Sequence, residues 1–527
     1  MFRKGDCYKN FRVLDVFDVS DYHSVAFHLL HEKTGLEVVH FLNDDDENLF
    51  SFSFRTPNKK SNGAAHILEH SVLCGSERYP LKDPFVALSN QSVKTYLNAL
   101  TYPDRTVYPA SSIVKADYFN LMDVYGDAVF FPNLAPEIFM QEAHRLECDE
   151  NGVHSIQGVV YNEMKGDYSS FESAVSNACN ASVLGGSVYE KDSGGDPLEI
   201  PSITHGELVA FHEKWYRPEN CLVFLYGNIP TEEQLDFLQE RFLSRLEQKF
   251  PPADVSDGGR KSRVAEFLSY VAPAPMEKPV ECRYEGPKGG DGDETKNTVV
   301  LNFRLGQVSD SLSAMENTVM FGVLMNHDGS SLHKALIESG LGDDIAPQSG
   351  FSSYLYESVM SFGLRGVRDG DERKVGELVL DTLKKVADDG ISANDIDATM
   401  MALEFSQRSI RRSDGPYSRV LMGRIVYGWL YGFDLSRQIR QRRDLDEMRR
   451  ILAQNPGFLV ERMKRLLIDN EGRSLVVVVP SEHFSKERDD AEKKLVALLS
   501  ERTPAEEIRD VCSRLSRSSS MPKPATG

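Results

Sequence analysis

His66-Ile67-Leu68-Glu69-His70 sets two imidazoles and a carboxylate at the spacing of one helical face. At about 3.6 residues per turn, residues four apart stack one above the other, so His66 and His70 point the same way with Glu69 beside them. Imidazole nitrogens bind divalent metals, and a catalytic zinc takes three protein ligands plus a water. The order H-x-x-E-H reverses the commoner zinc-protease pattern H-E-x-x-H. Random placement of 13 His and 80 acidic residues in 527 gives roughly 0.05 such motifs, so context must decide between a metal face and ordinary surface histidines. Here the pair follows Asn62-Gly63 at a helix start, which favours the metal.

The third ligand must come from elsewhere. Glu163 is favoured, although the residues by themselves leave Asp167 and Glu172 open. Glu69 suits a different task. A water beside zinc has its pKa lowered towards about 7, and an adjacent carboxylate can take its proton as it attacks a peptide carbonyl, then pass that proton to the leaving amine.

The elements that position these groups follow from periodicity. Phe11 to Val19, Ser24 to His31, Leu36 to Leu42 and Leu49 to Phe54 alternate as strands and feed through Pro57 to Gly63 into the His66 helix. Lys94 to Tyr108 is extended and broken at Pro103 and Pro109, Lys115 to Phe130 and Pro136 to Glu142 are helical, and a helix is expected from Val159 towards Asn180. Thr204 to Glu207 reads as a capping box opening a helix to Trp215, followed by a strand at Cys221 to Tyr226 and a helix from Thr231 to Glu247. Residues 250–276, rich in Pro and Gly, read as an interdomain linker. A second unit repeats the order: strands at Val280 to Tyr284 and Asn297 to Leu305, helices at Ser311 to Leu324 and Ser331 to Ser339, and strands near Ser352 to Leu364. Helices at Arg373 to Ala387, Ala393 to Arg411 and Asp444 to Leu467 then lead to a strand at Leu475 to Val479. The expected division is 1–249 for a metal-binding unit, 277–481 for a second unit without metal, and 482–527 for a charged helical segment with a disordered tail.

A chain of 527 residues exceeds one hydrophobic core, and its net charge of −20 argues against nucleic acid as a partner. Seven scattered cysteines without C-x-x-C, no apolar signal core and no membrane-length apolar run lead to the expectation of a soluble cytoplasmic protein.

Asn62 to His70, Leu73-Cys74-Gly75-Ser76-Glu77-Arg78-Tyr79-Pro80, Gly158 to Gly166, Tyr96 to Thr101 and Ser331 to Gly342 together resemble the M16 inverzincin metallopeptidases, in particular the branch of presequence protease and falcilysin. The resemblance implies an α+β fold of two homologous LuxS/MPP-like modules, each a mainly antiparallel sheet packed with helices. It implies a single Zn2+ held by His66, His70 and Glu163, Glu69 as the base, and Asn98, Ala99, Leu100 and Thr101 as an edge strand on which unfolded peptides such as targeting presequences are laid. Members of this branch join two such halves through a helical hairpin, which here would begin around Glu482 to Arg517. The missing half would supply Arg and Tyr side chains to the oxyanion, so the expected partners are unfolded peptide substrates and either a second-half M16 chain or the missing C-terminal half. A chain of this kind acting as a non-catalytic subunit is the alternative.

Other features carry less. His144, Cys148 and His154 fit no standard zinc spacing, Gly286 to Asp293 lacks the ending of a phosphate loop, and the arginines from Arg437 to Arg450 alternate with acids as on a salt-bridged helix. His327 and His333 have no matching Glu-His pair.

Overall fold

The computed structural model describes residues 2–81, 83–288, 296–409 and 415–519. Most of the glycine-rich stretch, the end of the helix expected to reach Arg411, and the terminal residues 520–527 lie outside them.

The fold is α+β and built on two sheets. The first contains β1 (Cys7–Tyr8), β2 (Phe11–Val19), β3 (Ser24–His31), β4 (Glu37–Leu42), β5 (Asn48–Arg55), β6 (Tyr96–Leu97), β7 (Leu100–Thr101) and β8 (Arg105–Ser112). A small hairpin, β9 (Arg145–Cys148) with β10 (His154–Gln157), stands apart, and β11 (Cys221–Gly227) returns to the first sheet between β4 and β5. The second sheet contains β12 (Val280–Pro287), β13 (Asn297–Gly306), β14 (Asp344–Ile345), β15 (Gly350–Ser352), β16 (Ser358–Val367) and β17 (Arg473–Ser481).

The central strands of the first sheet are buried on both faces, so alternate side chains enter different cores. Phe50, Phe52, Phe54, Val223 and Leu225 pack with Ile67, Leu68, Tyr118 and Leu121 of the helices Ala64–Val72 and Lys115–Phe130. Leu49, Leu222, Phe224 and Phe41 face the other way, against Leu421, Ile425 and Trp429 of the helix Ser418–Tyr431. That helix comes from the second half of the sequence. The exchange is reciprocal, because Phe171, Val175 and Ala178 of the helix Phe171–Val183 cover Val300, Val476 and Val478 of the second sheet. Each half therefore lends a helix to the other, and each fully buried Leu, Val or Phe so placed contributes about 1.5–3 kcal/mol.

Polar groups fix the seam. Asp104, fully buried, accepts from the hydroxyls of Tyr189 at 2.7 Å and Tyr431 at 2.5 Å and pairs with Arg105 at 2.9 Å. Arg55 donates to the carbonyls of Trp429 and Leu430, its guanidinium lying 3.6 Å from the Trp429 ring centroid.

Several elements depart from their sequence pattern. The stretch read as linker holds a helix, Asp257–Val271, whose start is capped by Ser256 and whose Phe267 and Val271 are buried in the seam. The helix expected from Val159 to Asn180 is two, Val159–Asp167 and Phe171–Val183, because Ser170 caps the second through Ser173 N–H. The helix expected from Asp444 to Leu467 breaks at Asn455-Pro456-Gly457 into Gln441–Gln454 and Phe458–Met463. The helix Ser418–Tyr431 had no amphipathic signature, since ten of its fourteen residues are buried. No helix of the described residues is long and apolar enough to cross a membrane.

Candidate metal centre

The helix Ala64–Val72 buries Ala64, Ala65, Ile67, Leu68, Ser71 and Val72 and leaves the His66 and His70 side chains partly exposed. It starts at Gly63, whose φ of 68° lies in the left-handed region and whose absent side chain lets the chain at Gly194 approach; a Cβ would sit 2.8 Å from the Gly194 carbonyl oxygen. Glu163 arrives on the helix Val159–Asp167. Gly158 before it permits close packing, since a Cβ there would lie 2.2 Å from the Ala143 carbonyl.

The Glu163 Oε2 atom is 3.8 Å from Nε2 of His66 and 3.8 Å from Nε2 of His70. The rings stand 4.9 Å apart at 84°, an edge-on arrangement in which both Nε2 atoms converge on one carboxylate. Tetrahedral zinc with bonds of about 2.0–2.2 Å separates its ligand atoms by roughly 3.4 Å; each Glu163–histidine separation is a few tenths of an ångström wider, and all three donor atoms lie within 4.8 Å of one another. Among the described residues this is the one group of three or more His, Cys, Asp or Glu side chains so disposed. Asp167 accepts from Ser173 Oγ and Glu172 from Gln348 Nε2, each engaged elsewhere.

Both Nδ1 atoms are tied behind the site. His66 Nδ1 donates to the Gly194 carbonyl at 3.2 Å, and His70 Nδ1 meets Glu142 Oε2 at 3.2 Å. Burial pulls the His70 pKa down, but the Glu142 hydrogen bond and the nearby carboxylates of Glu69, Glu142 and Glu163 outweigh it and leave it raised. Burial likewise pushes the Glu142 carboxyl up, and its bonds from His70, Gln141 and Cys74 more than reverse that. Glu69 is 8% exposed and makes no hydrogen bond or ion pair to another described residue, so its carboxylate is uncommitted.

The helix Glu482–Arg502 reaches back to brace this region. Its Glu492 accepts from Tyr161 at 2.9 Å and Lys165 at 2.7 Å, either side of Glu163, and its Arg488 pairs with Asp196 at 2.5 Å. Neither this brace nor Glu142 was anticipated, because nothing in their local sequence marks them; only tertiary packing brings them here.

The profile described as "Insulinase (Peptidase family M16)" matches residues 55–165, which contain His66, Glu69, His70 and Glu163. The one described as "Peptidase M16 inactive domain" matches residues 202–403. The chain belongs to the M16 peptidase family. It is 33% identical over 530 residues to a Clostridium perfringens protein named HypA, covering 99% of this chain and 52% of that protein. It is 34% identical over 500 residues to the mitochondrial presequence protease of Xenopus laevis, covering 94% of this chain and 47% of the relative. The chain thus spans about half the length of these relatives. The fold matches that of a Helicobacter pylori protease, with a TM-score of 0.63 at 16% identity over 85% of this chain and 98% of the other. Pitrilysin gives 0.60 at 17% identity, over 90% of this chain and 47% of that one.

The M16 profile region also includes the edge of the first sheet. β6 and β7 pair with β8 on one side and, among the described residues, with no strand on the other. Asn98 and Ala99 interrupt the ladder, Asn98 being exposed, while β7, carrying Leu100 and Thr101, packs against the His66 helix. Thr101 Oγ1 is buried without a hydrogen-bond partner among the described residues. His144, by contrast, bonds the Ile203 carbonyl and His154 bonds Ser500, which leaves neither poised for a shared ion.

Proposed function

We propose that this M16 chain is the metal-bearing part of a zinc endopeptidase that cuts unstructured peptides. The observation that carries the reading is the convergence of His66 Nε2, His70 Nε2 and Glu163 on one point, with Glu69 on the same helix. A zinc ion held there would supply Lewis acidity and lower the pKa of a water towards about 7. Glu69, buried but uncommitted, would take the proton as the peptide carbonyl is attacked and return it to the leaving nitrogen. The free edge of β6 and β7 would hold the peptide as an added strand, through main-chain hydrogen bonds that discriminate little between sequences.

The relatives named presequence proteases and the net charge of −20 both favour basic, targeting-type peptides as substrates. Because the chain spans about half of those relatives, the side chains that stabilise the oxyanion would come from a second half, on the same polypeptide or on a separate one, and full activity would need it. The test is zinc content together with chelator-sensitive cleavage of an unfolded basic peptide, with and without a second-half chain. Glu69→Gln is expected to keep zinc and lower cleavage by about 10²–10⁴-fold. Full activity in that variant would remove Glu69 from the mechanism, and a wild-type chain that takes up no zinc would overturn the metal reading.

A second reading, a non-catalytic M16 subunit, draws on the fold's similarity to a Pseudomonas fluorescens chain described as a peptidase M16 inactive domain, with a TM-score of 0.59 at 15% identity, over 89% of this chain and 98% of that one. The retention of all four site residues weighs against it.

A further inference from the structure

Glu142 ends the helix Pro136–Glu142, which packs on the His66 helix, and it is 5% exposed. Both carboxylate oxygens are spoken for. Oε2 faces His70 Nδ1 at 3.2 Å, while Oε1 accepts from Gln141 Nε2 at 2.8 Å and from the Cys74 thiol at 3.5 Å. Among the described residues no Lys or Arg pairs with it; His70 is its only basic partner. A buried carboxylate without a full cation is costly unless a positive charge lies close by. The imidazole passes that requirement from Nδ1 to Nε2, the atom turned towards Glu163.

We infer that Glu142 is a positioning residue for the metal, acting through His70. The inference rests on the zinc reading above. A carboxylate can only accept, so His70 must carry its proton on Nδ1, which leaves the Nε2 lone pair for the ion and fixes the ring plane. A carboxylate behind a ligating histidine also makes the imidazole a stronger donor. The two histidines are held unequally. His66 leans on the backbone carbonyl of Gly194, which no substitution removes, whereas His70 depends on one side chain. Cys74 and Gln141 hold that side chain in turn, so the support reaches two residues beyond the ligand.

The test is zinc affinity of the full chain, measured by chelator competition, in wild type, Glu142→Gln and Glu142→Leu, together with the ¹⁵N shifts of the His70 ring. Glu142→Leu is expected to weaken zinc binding about 10–100-fold. Glu142→Gln, whose amide oxygen still accepts from Nδ1, should lose less and keep the Nδ1–H tautomer. A merely structural Glu142 would lower thermal stability and leave zinc affinity unchanged, and that result overturns the inference while leaving the metal reading intact. Wild type without zinc affinity removes both. Should Glu142→Leu fail to fold, Glu142→Ala takes its place in the affinity measurement, and unchanged affinity there, or a zinc-loaded wild type whose His70 is protonated at Nε2, is the overturning result.

Discussion

The two sheets share one plan and differ in what stands on it. In the first, β4 runs parallel to β11, which is antiparallel to β5, then β8, then the short edge strands β6 and β7. In the second, β12 runs parallel to β17, which is antiparallel to β13, then β16, then the short edge strands β14 and β15. In both, a helix follows the strand next to the parallel pair: Ala64–Val72 after β5, Ser311–Met325 after β13. The first turns two imidazoles outward to meet a carboxylate. The second buries Met315, Val319, Met320 and Val323, and its polar Glu316 and Asn317 are held by Arg462 at 2.7 Å and 2.8 Å. Topology supplies a helix at this place twice; the residues on its outward face, and whether a facing helix brings an acid or an arginine, decide whether a metal can be held.

The sharpest way to break that contrast is to remove the facing acid. Glu163→Gln leaves both histidines in place but takes away the charged third donor, and zinc affinity should fall by more than the roughly 10–100-fold expected of a change behind a ligand. Chelator competition measures it. An unchanged affinity would mean that the two modules do not differ in the way proposed.

This contrast was only partly legible in the sequence. β2, β3 and the helices Lys115–Phe130 and Pro136–Glu142 lie where alternation, helical period and proline placed them, because each has one dominant local signal. The pairing of His66 with His70 follows from helical spacing, but Glu163 could not be separated from Asp167 and Glu172 without the family resemblance, since all three lie on one acidic stretch. What separates them is tertiary: Ser173 and Gln348 occupy the other two. The exchanged helix Ser418–Tyr431 left no period to read, and the helix Asp257–Val271 was hidden by Gly258 and Gly259 in its first turn, where a serine cap offsets their low propensity.

The next test concerns the seam that makes the two modules one body. Asp104→Ala would leave two buried tyrosine hydroxyls and Arg105 without their shared acceptor, a loss of about 3 kcal/mol. Because Tyr189 and Tyr431 come from opposite halves, the expected signature is a lowered Tm with the two halves unfolding in transitions further apart than in wild type. A uniform small drop would mean that the apolar exchange of helices alone couples the modules.

The smallest effect sets the modules against each other in pH. His40 and His212 are buried in the first, and burial lowers their pKa values to about 3 and about 4. A histidine whose folded pKa lies below its unfolded value of about 6.5 contributes stability that is present above that value and is lost as pH falls through the folded one. Asp444 in the second behaves oppositely. Burial, reinforced by the nearby Asp310 and opposed by the hydroxyl of Ser311, raises its carboxyl to about 6. Its contribution is fully present below the unfolded value of about 3.9 and is lost as pH rises through 6. Between about pH 6.5 and 4, acidification should therefore weaken amide protection around β4 and the helix His205–Trp215 while strengthening it around the helix Gln441–Gln454. Hydrogen exchange followed segment by segment reads the two signs separately. His40→Gln should flatten the first trend and Asp444→Asn the second, and a common direction in both segments would show that the modules respond to acid only as a single unit.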